Sequence, residues 1–171
     1  MDFEQLLKAC YNDVVRYSRA MAGSAVDGDD LLQDALIRAW KGFPRLNDPD
    51  RFKFWLLKII KNTHFSRSRL QWAKRMFGLE AAGDLPSTDV LPYEEKELVR
   101  MALKRLPEAQ REALILFEVL NMSIAEVAMQ QKITNSAAKS RLARGRIKLR
   151  EAYQALSNME ARHGARVVQP G

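Results

Sequence analysis

Residues 123–150, SIAEVAMQQKITNSAAKSRLARGRIKLR, restrict the possible folds more than any other stretch. Ser123 with Glu126 three residues later is a capping box, so a short helix starts there, with Ile124, Val127 and Ala128 facing inward. Ile133 packs a tight joint, and Thr134 or Asn135 caps a second helix. On a helical wheel Ala138, Leu142, Gly145 and Leu149 fall within about 60°, so one side of that second helix is buried. Lys139, Arg146 and Arg150 flank the buried arc on one edge, and Arg141, Arg144 and Lys148 on the other. Ser136 and Ser140 occupy the exposed sector between them. From Lys132 to Arg150 there are seven Lys or Arg and no Asp or Glu, a balance that calls for a polyanion. A capped short helix, a joint and a basic second helix is the helix-turn-helix plan, whose second helix enters the major groove. A basic amphipathic helix for acidic lipid or protein is the rival reading, and the capped helix before it favours DNA.

The charge of the whole chain agrees. The 171 residues carry a formal net charge of +7, which suits an anionic partner, and the length suits one medium domain or two small ones. Cys10 is the single cysteine, so an intramolecular disulfide and a four-cysteine zinc site are excluded, and a reducing cytosol is expected. His64 and His163 are too far apart in sequence to point to a metal, and no residue cluster resembles a catalytic set; no cofactor is expected. No apolar run approaches the roughly 18 residues that cross a bilayer, and MDFEQLLKAC does not read as a signal peptide.

Taken in order, residues 2–21 carry a helical apolar stripe through Leu6, Leu7, Val14, Val15 and Tyr17. Residues 22–25 break it. Asp27 is placed as the cap of a second helix, DGDDLLQDALIRAW, with Leu31, Leu32, Ala35, Leu36 and Ile37 inside and Asp29, Asp30, Gln33 and Asp34 clustered near its start. On physics alone that cluster reads first as an ordinary acidic helix start. Residues 41–51, KGFPRLNDPDR, form a loop. Next comes FKFWLLKIIKNTHFSRSR at 52–69. Phe52, Trp55, Leu56, Ile59, Ile60 and Thr63 share the core face, and Phe54, Lys58, Lys61, Asn62, Phe65 and Arg69 the opposite one. Seven bases and no acid lie between Phe52 and Arg75. Phe54 and Phe65 among these amines suit either unstacked bases on aromatic rings or packing on a neighbouring helix. Residues 77–92 are rich in Gly, Pro, Ser, Thr and Asp and read as a flexible linker. Helices are expected again over 93–106, with Leu98, Met101, Ala102 and Leu106 inside, and from Pro107 to Leu120, with Ala113, Leu116, Phe117 and Leu120 on one face. Residues 157–171 read as a frayed tail. The fold class is therefore all-α: two small helical domains joined by a flexible linker, the second holding the helix-turn-helix. The chain divides as 1–76, linker 77–92, 93–156 and tail 157–171, and its chemistry is that of a bipartite nucleic-acid binder.

The same residues resemble a family. DGDDLLQDALIRAW resembles the polymerase-binding helix of bacterial sigma factors. FKFWLLKIIKNTHFSRSR is similar to their next helix, which handles the upstream edge of the melted promoter. LPEAQREALILFEVLNMSIAEVA followed by AAKSRLARGRIKLRE is similar to their C-terminal helix-turn-helix. The likeness covers about residues 3–153 and lacks the large middle domain, which places it with the extracytoplasmic-function type. It implies a transcription initiation factor, not an enzyme, whose partners are core RNA polymerase, promoter DNA and an anti-sigma protein, in the cytoplasm and without membrane insertion. Asp29, Asp30, Gln33 and Asp34, with Trp40 closing the helix, would meet the clamp helices of the largest polymerase subunit. Arg45 and Asn47 of the 41–51 loop, with Lys53, Phe54, Lys58, Lys61, Asn62, Phe65 and Arg69, would engage the −10 element and hold a flipped base. Ser136, Lys139, Ser140, Arg141, Arg144 and Arg146 would read or grip the −35 duplex. Three positions depart from the family: Gln131-Lys132 replaces a leucine-glycine joint, Ser66 replaces an acid, and Ala137-Ala138 replaces threonine-valine. A lysine with positive φ costs about 1 kcal/mol, so another joint geometry is expected there. The rival functions are a stand-alone helix-turn-helix regulator, which binds duplex tightly by itself, and a sigma-like decoy for an anti-sigma factor.

Overall fold

The computed structural model describes residues 2–76 and 95–167. Asp2 accepts from the Gln5 amide and starts α1 (Phe3–Ala22), which Gly23 ends in the left-handed region at φ 87°. α2 (Ala25–Gly42) is capped by Ser24, whose hydroxyl oxygen accepts from the Asp27 amide. The expected cap at Asp27 is therefore one turn late: Asp27 lies in the first turn, and Ser24 donates to its carboxylate at 2.8 Å. Gly28 sits where α2 crosses α1. A Cβ there would stand 2.4 Å from the Arg19 Cα, so only glycine allows the approach. Two short 3-10 turns, Phe43–Arg45 and Pro49–Arg51, fill the expected loop and lead into α3 (Phe52–Met76).

The expected linker, 77–92, lies outside the described residues; after it α4 (Glu95–Lys104) is followed by α5 (Glu108–Leu114), with Pro107 just ahead of it, and then by a π turn, Ile115–Val119. α6 (Ile124–Gln131) has the expected capping box, both hydrogen bonds present. α7 (Asn135–Val167) starts where the Thr134 hydroxyl accepts from the Ala137 amide. The frayed tail expected over 157–171 is corrected as far as Val167, to which α7 continues; residues 168–171 lie outside the described residues. Just before Ser157, Leu156 is buried against Leu98 and Ala102 of α4. No strand occurs among the described residues.

The joint between α6 and α7 is a second correction. Lys132 takes φ 55° and ψ 48° and so keeps the left-handed conformation that was expected to be avoided. Its amide donates back to the Ala128 and Met129 carbonyls, and the Ile133 amide donates to Ala128. Those bonds close the helix end and offset the cost of positive φ at a residue with a Cβ.

α1, α2 and α3 pack around Val14, Tyr17, Met21, Leu31, Leu56 and Ile60, all essentially inaccessible to solvent. In the second half α5, α6 and α7 enclose Leu114, Leu116, Val127, Ala138 and Leu142. The two halves do not stand apart. One continuous cluster of buried apolar side chains runs from Phe3 through Ile60 to Leu142, with α1 against α4 and the π turn. Leu57, on neither face of the expected α3 pattern, is fully buried in it. Helix α3 thus has apolar neighbours on more than one side, which a single-stripe reading misses.

Candidate nucleic-acid interface

On α2, Ile37 is corrected from inside to outside: it is 56% exposed. Val26, Asp30, Gln33, Ile37 and Trp40 follow i, i+4, i+7, i+11, i+14 spacing, which puts them within one third of the helix circumference, and all five are exposed. Trp40 is 63% exposed, held by an edge contact with Phe3 at 5.3 Å between ring centres. Asp29 lies beside this stripe and takes two bonds from the Arg19 guanidinium at 2.7 and 2.9 Å, which hold its carboxyl below the usual carboxylate range. Asp34 is paired with Arg67 of α3. The acidic cluster therefore splits. Asp29 and Asp34 brace α2 on its neighbours, while Asp30 and Gln33 stand free beside exposed apolar groups.

The expected −10 residues gather on α3 and the turns before it. Arg45 and Asn47 are exposed in the turns, and Lys58, Asn62 and Arg69 are exposed on the helix. A cleft of about 390 Å³ opens between Asn47, Phe54 and Lys58 on one side and Met129, Gln130 and Lys132 of the helix-turn-helix on the other. Gln130 Nε2 donates to the Phe54 carbonyl at 3.2 Å across it. Phe54 is half-buried on the core, so the packing reading holds for this residue in this arrangement. Phe65 is half-buried under Lys61, whose ammonium is 5.9 Å from the ring centre. Lys53 is paired with Asp13 of α1.

Lys61 leads to the group that sequence reasoning missed. Its ammonium donates to Glu112 Oε2 at 2.8 Å, and Tyr17 donates to Glu112 Oε1 at 3.1 Å. Gln131 Nε2 donates to Glu112 Oε2 at 2.9 Å. Glu112 is 2% exposed, so a carboxylate is buried between the halves with donors from α1, α3 and α6, as a buried charge requires. Burial first, then the neighbouring carboxylate, pushes the Tyr17 phenol well above its ordinary pKa. Beside it the buried Arg111 faces His64 at 3.4 Å. Burial, then the charges of Arg111, Lys104 and Arg67, lower the His64 pKa to about 4, so the ring is neutral. One signal was present in the sequence: Glu112 lies four residues before Leu116 and so borders the apolar face of α5.

On α7, Ser136, Lys139, Ser140 and Arg144 are exposed on the outer side. Gly145 lets α7 approach α5, where an added Cβ would meet Leu114 side-chain atoms at 3.1 Å. Arg146 forks onto Glu118 at 2.7 and 2.9 Å and lies over Phe117, with 5.4 Å to the ring centre. Arg141 donates to the Gln131 side-chain oxygen at 3.0 Å. Lys139, Arg144, Lys148 and Arg150 make no ion pair among the described residues. Among those residues no group of His, Cys, Asp or Glu could hold a metal, and no helix is long and apolar enough to cross a membrane.

The family model for Sigma-70 region 2 matches residues 6–76, and that for Sigma-70, region 4 matches residues 96–149. The ECF RNA polymerase sigma factor SigM of Mycobacterium tuberculosis is 31% identical over 148 residues, covering 86% of this chain and 74% of the relative. The RNA polymerase sigma factor SigZ of Bacillus subtilis is 30% identical over 141 residues, covering 82% and 80%. Among solved structures, the sigma factor RpoE of Bartonella quintana, in complex with the anti-sigma factor NepR, superposes with a TM-score of 0.71 at 25% identity, covering 90% of this chain and 97% of that one. CnrH in complex with the cytosolic domain of CnrY gives a TM-score of 0.61 at 25% identity, covering 90% and 88%.

Proposed function

The chain belongs to the extracytoplasmic-function sigma factors of bacterial RNA polymerase, and from that premise we propose how its residues divide the work. As an alternative sigma factor it binds core polymerase and directs it to promoters. The reading for the first half, residues 1–76, is that the α2 stripe docks on the clamp helices of the largest subunit. The observation that carries it is the exposed alignment of Asp30, Gln33, Ile37 and Trp40, since apolar groups this large are left in water mainly where a partner covers them. The 41–51 turns and α3, with Asn47, Lys58, Lys61 and Asn62, take the −10 element. The second half, residues 93–156, grips the −35 duplex through Lys139, Ser140, Arg141 and Arg144. The chain supplies no catalytic group of its own; it works beside polymerase in the cytoplasm.

In the closed arrangement both DNA faces cannot be used at once. Lys61 is bound to Glu112, and α6 stands over the cleft beside Phe54. Promoter engagement therefore requires the halves to separate, and an anti-sigma partner that holds them together would silence the protein. The likeness to RpoE, captured with the anti-sigma factor NepR, supports that regulation. The test is reconstitution with core polymerase on a genomic fragment library. Promoter-specific transcripts are expected with the chain and absent without it. Asp30→Arg with Trp40→Ala, both on exposed positions, is expected to abolish co-purification with core polymerase at unchanged helical content. A double variant that still co-purifies removes α2 from the docking surface.

A further inference from the structure

We propose that Gln131, the last residue of α6, is the positioning residue that aims Arg141 at the −35 duplex. This rests on the reading of Arg141 as a −35 contact. The Gln131 amide nitrogen donates to two acceptors, the Ala109 carbonyl at 3.0 Å and Glu112 Oε2 at 2.9 Å. An amide has two N–H donors and one carbonyl oxygen, so both donors are committed on the side of α5. The oxygen must then face away, and it does: it accepts from Arg141 Nη1 at 3.0 Å. One planar group is thereby locked at one end to the buried Glu112 and at the other to the guanidinium of the second helix.

The chemistry of the acceptor matters. A neutral carbonyl fixes the guanidinium through one of its five N–H groups and leaves its charge and the other donors for phosphate or a base edge. A carboxylate at the same place would form an ion pair and withdraw Arg141 from DNA. An apolar side chain would leave a long, flexible arginine with no preferred direction. Lys139, Ser140 and Arg144 have no such anchor among the described residues, and Arg146 is held by the Glu118 carboxylate, so Arg141 is the cation of this helix that is oriented while its charge stays unpaired. Bidentate base contacts depend on that orientation, and phosphate contacts much less.

The experiment uses the full chain assembled with core polymerase and a duplex library randomised through the −35 region, comparing wild type with Arg141→Ala, Gln131→Met and the double variant. Gln131→Met keeps length and packing and removes both sets of hydrogen bonds. The expected result is that Gln131→Met loses selectivity at the same base pair as Arg141→Ala, by about tenfold, while affinity for unselected duplex changes less than about twofold. The double variant is expected to be no worse than Arg141→Ala alone. Wild-type selectivity in Gln131→Met, beside a loss in Arg141→Ala, overturns the positioning role and leaves the −35 reading standing. Unchanged selectivity in Arg141→Ala overturns both. Gln131→Lys supplies a second arm should the methionine variant fold poorly: its ammonium can still donate to Glu112 and the Ala109 carbonyl but offers Arg141 no acceptor, so the same loss of selectivity is expected. Wild-type selectivity in that variant also overturns the positioning role.

Discussion

The two basic faces of this protein are built differently. On α3 three of the cations are answered from within the molecule, Lys53 by Asp13, Lys61 by Glu112 and Arg67 by Asp34, while Lys58 and Arg69 are exposed; on α7 one ion pair forms, Arg146 with Glu118. On α7, Lys139, Arg144, Lys148 and Arg150 meet water. The first face is also partly covered by α5 and α6, whereas the outer side of the second is open. A face that must take up a melted strand is aromatic and cationic, and exposed in the free protein it would bind any single strand. Pairing its amines with the protein's own carboxylates limits that binding. A face for duplex needs no such restraint, because groove geometry and base edges impose selectivity.

Breaking the restraint at its centre should have the largest effect. Glu112→Ala removes the acceptor shared by Tyr17, Lys61 and Gln131. Breaking a buried pair costs several kcal/mol, but Lys61 is about a quarter exposed, so a loss of about 2–3 kcal/mol in urea unfolding is expected. Single-strand binding by the free chain should rise at the same time. A variant that unfolds at the wild-type midpoint would show that Glu112 does not hold the halves together.

Acid should act in the same direction and less strongly. His64 faces Arg111 of α5, Lys104 of α4, Arg67 of its own helix, and Asp27 of α2 across a small pocket. Its pKa is about 4 in the closed form against an ordinary 6.5. The open or unfolded chain therefore binds the proton first, and the closed form loses stability as pH falls from about 6.5 towards 4. A loss of about 1–2 kcal/mol by pH 5 is expected, and His64→Asn should flatten that part of the pH profile. An equal slope in the variant would assign the acid sensitivity elsewhere.

The smallest expected effect sharpens the comparison from the other side. Arg144→Ala should lower the slope of log K against log salt for duplex binding by about one. Lys53→Ala in the free chain should leave that slope unchanged, since Lys53 is already paired with Asp13. Equal changes in the two variants would mean that the faces are equally available and would remove the distinction.

Local signals made much of this legible from the sequence. The Ser123–Glu126 box, the buried arc of α7 and the core face of α3 are periodic or capping patterns, and each formed as read. Position-by-position readings failed where a competing group decided the outcome. Ser24 outcompeted Asp27 for the cap because its hydroxyl stands one turn earlier, beside the Gly23 break. Ile37 reads inward by its type, although its angle on the wheel puts it with Asp30 and Gln33. Lys132 holds positive φ because three backbone bonds close around it. The covering of α3 was not legible at all. It depends on Glu112 and Gln130 meeting Tyr17, Phe54 and Lys61 across more than fifty residues of sequence, and no window contains both sides. The candidate residues were found as two sets, but their mutual occlusion is a tertiary fact.

The decisive measurement is the separation of the halves during initiation. In a Cys10→Ser background, dyes placed at Lys8→Cys on α1 and Asn158→Cys on α7, both exposed positions, report the distance between the halves by energy transfer. Transfer should be high in the free chain and fall on addition of core polymerase, over the concentration range in which promoter-specific transcripts appear. Transcription that proceeds while transfer stays at the free-chain value would contradict the account: the closed arrangement would then be the working one, and the shielding of α3 would not restrain it.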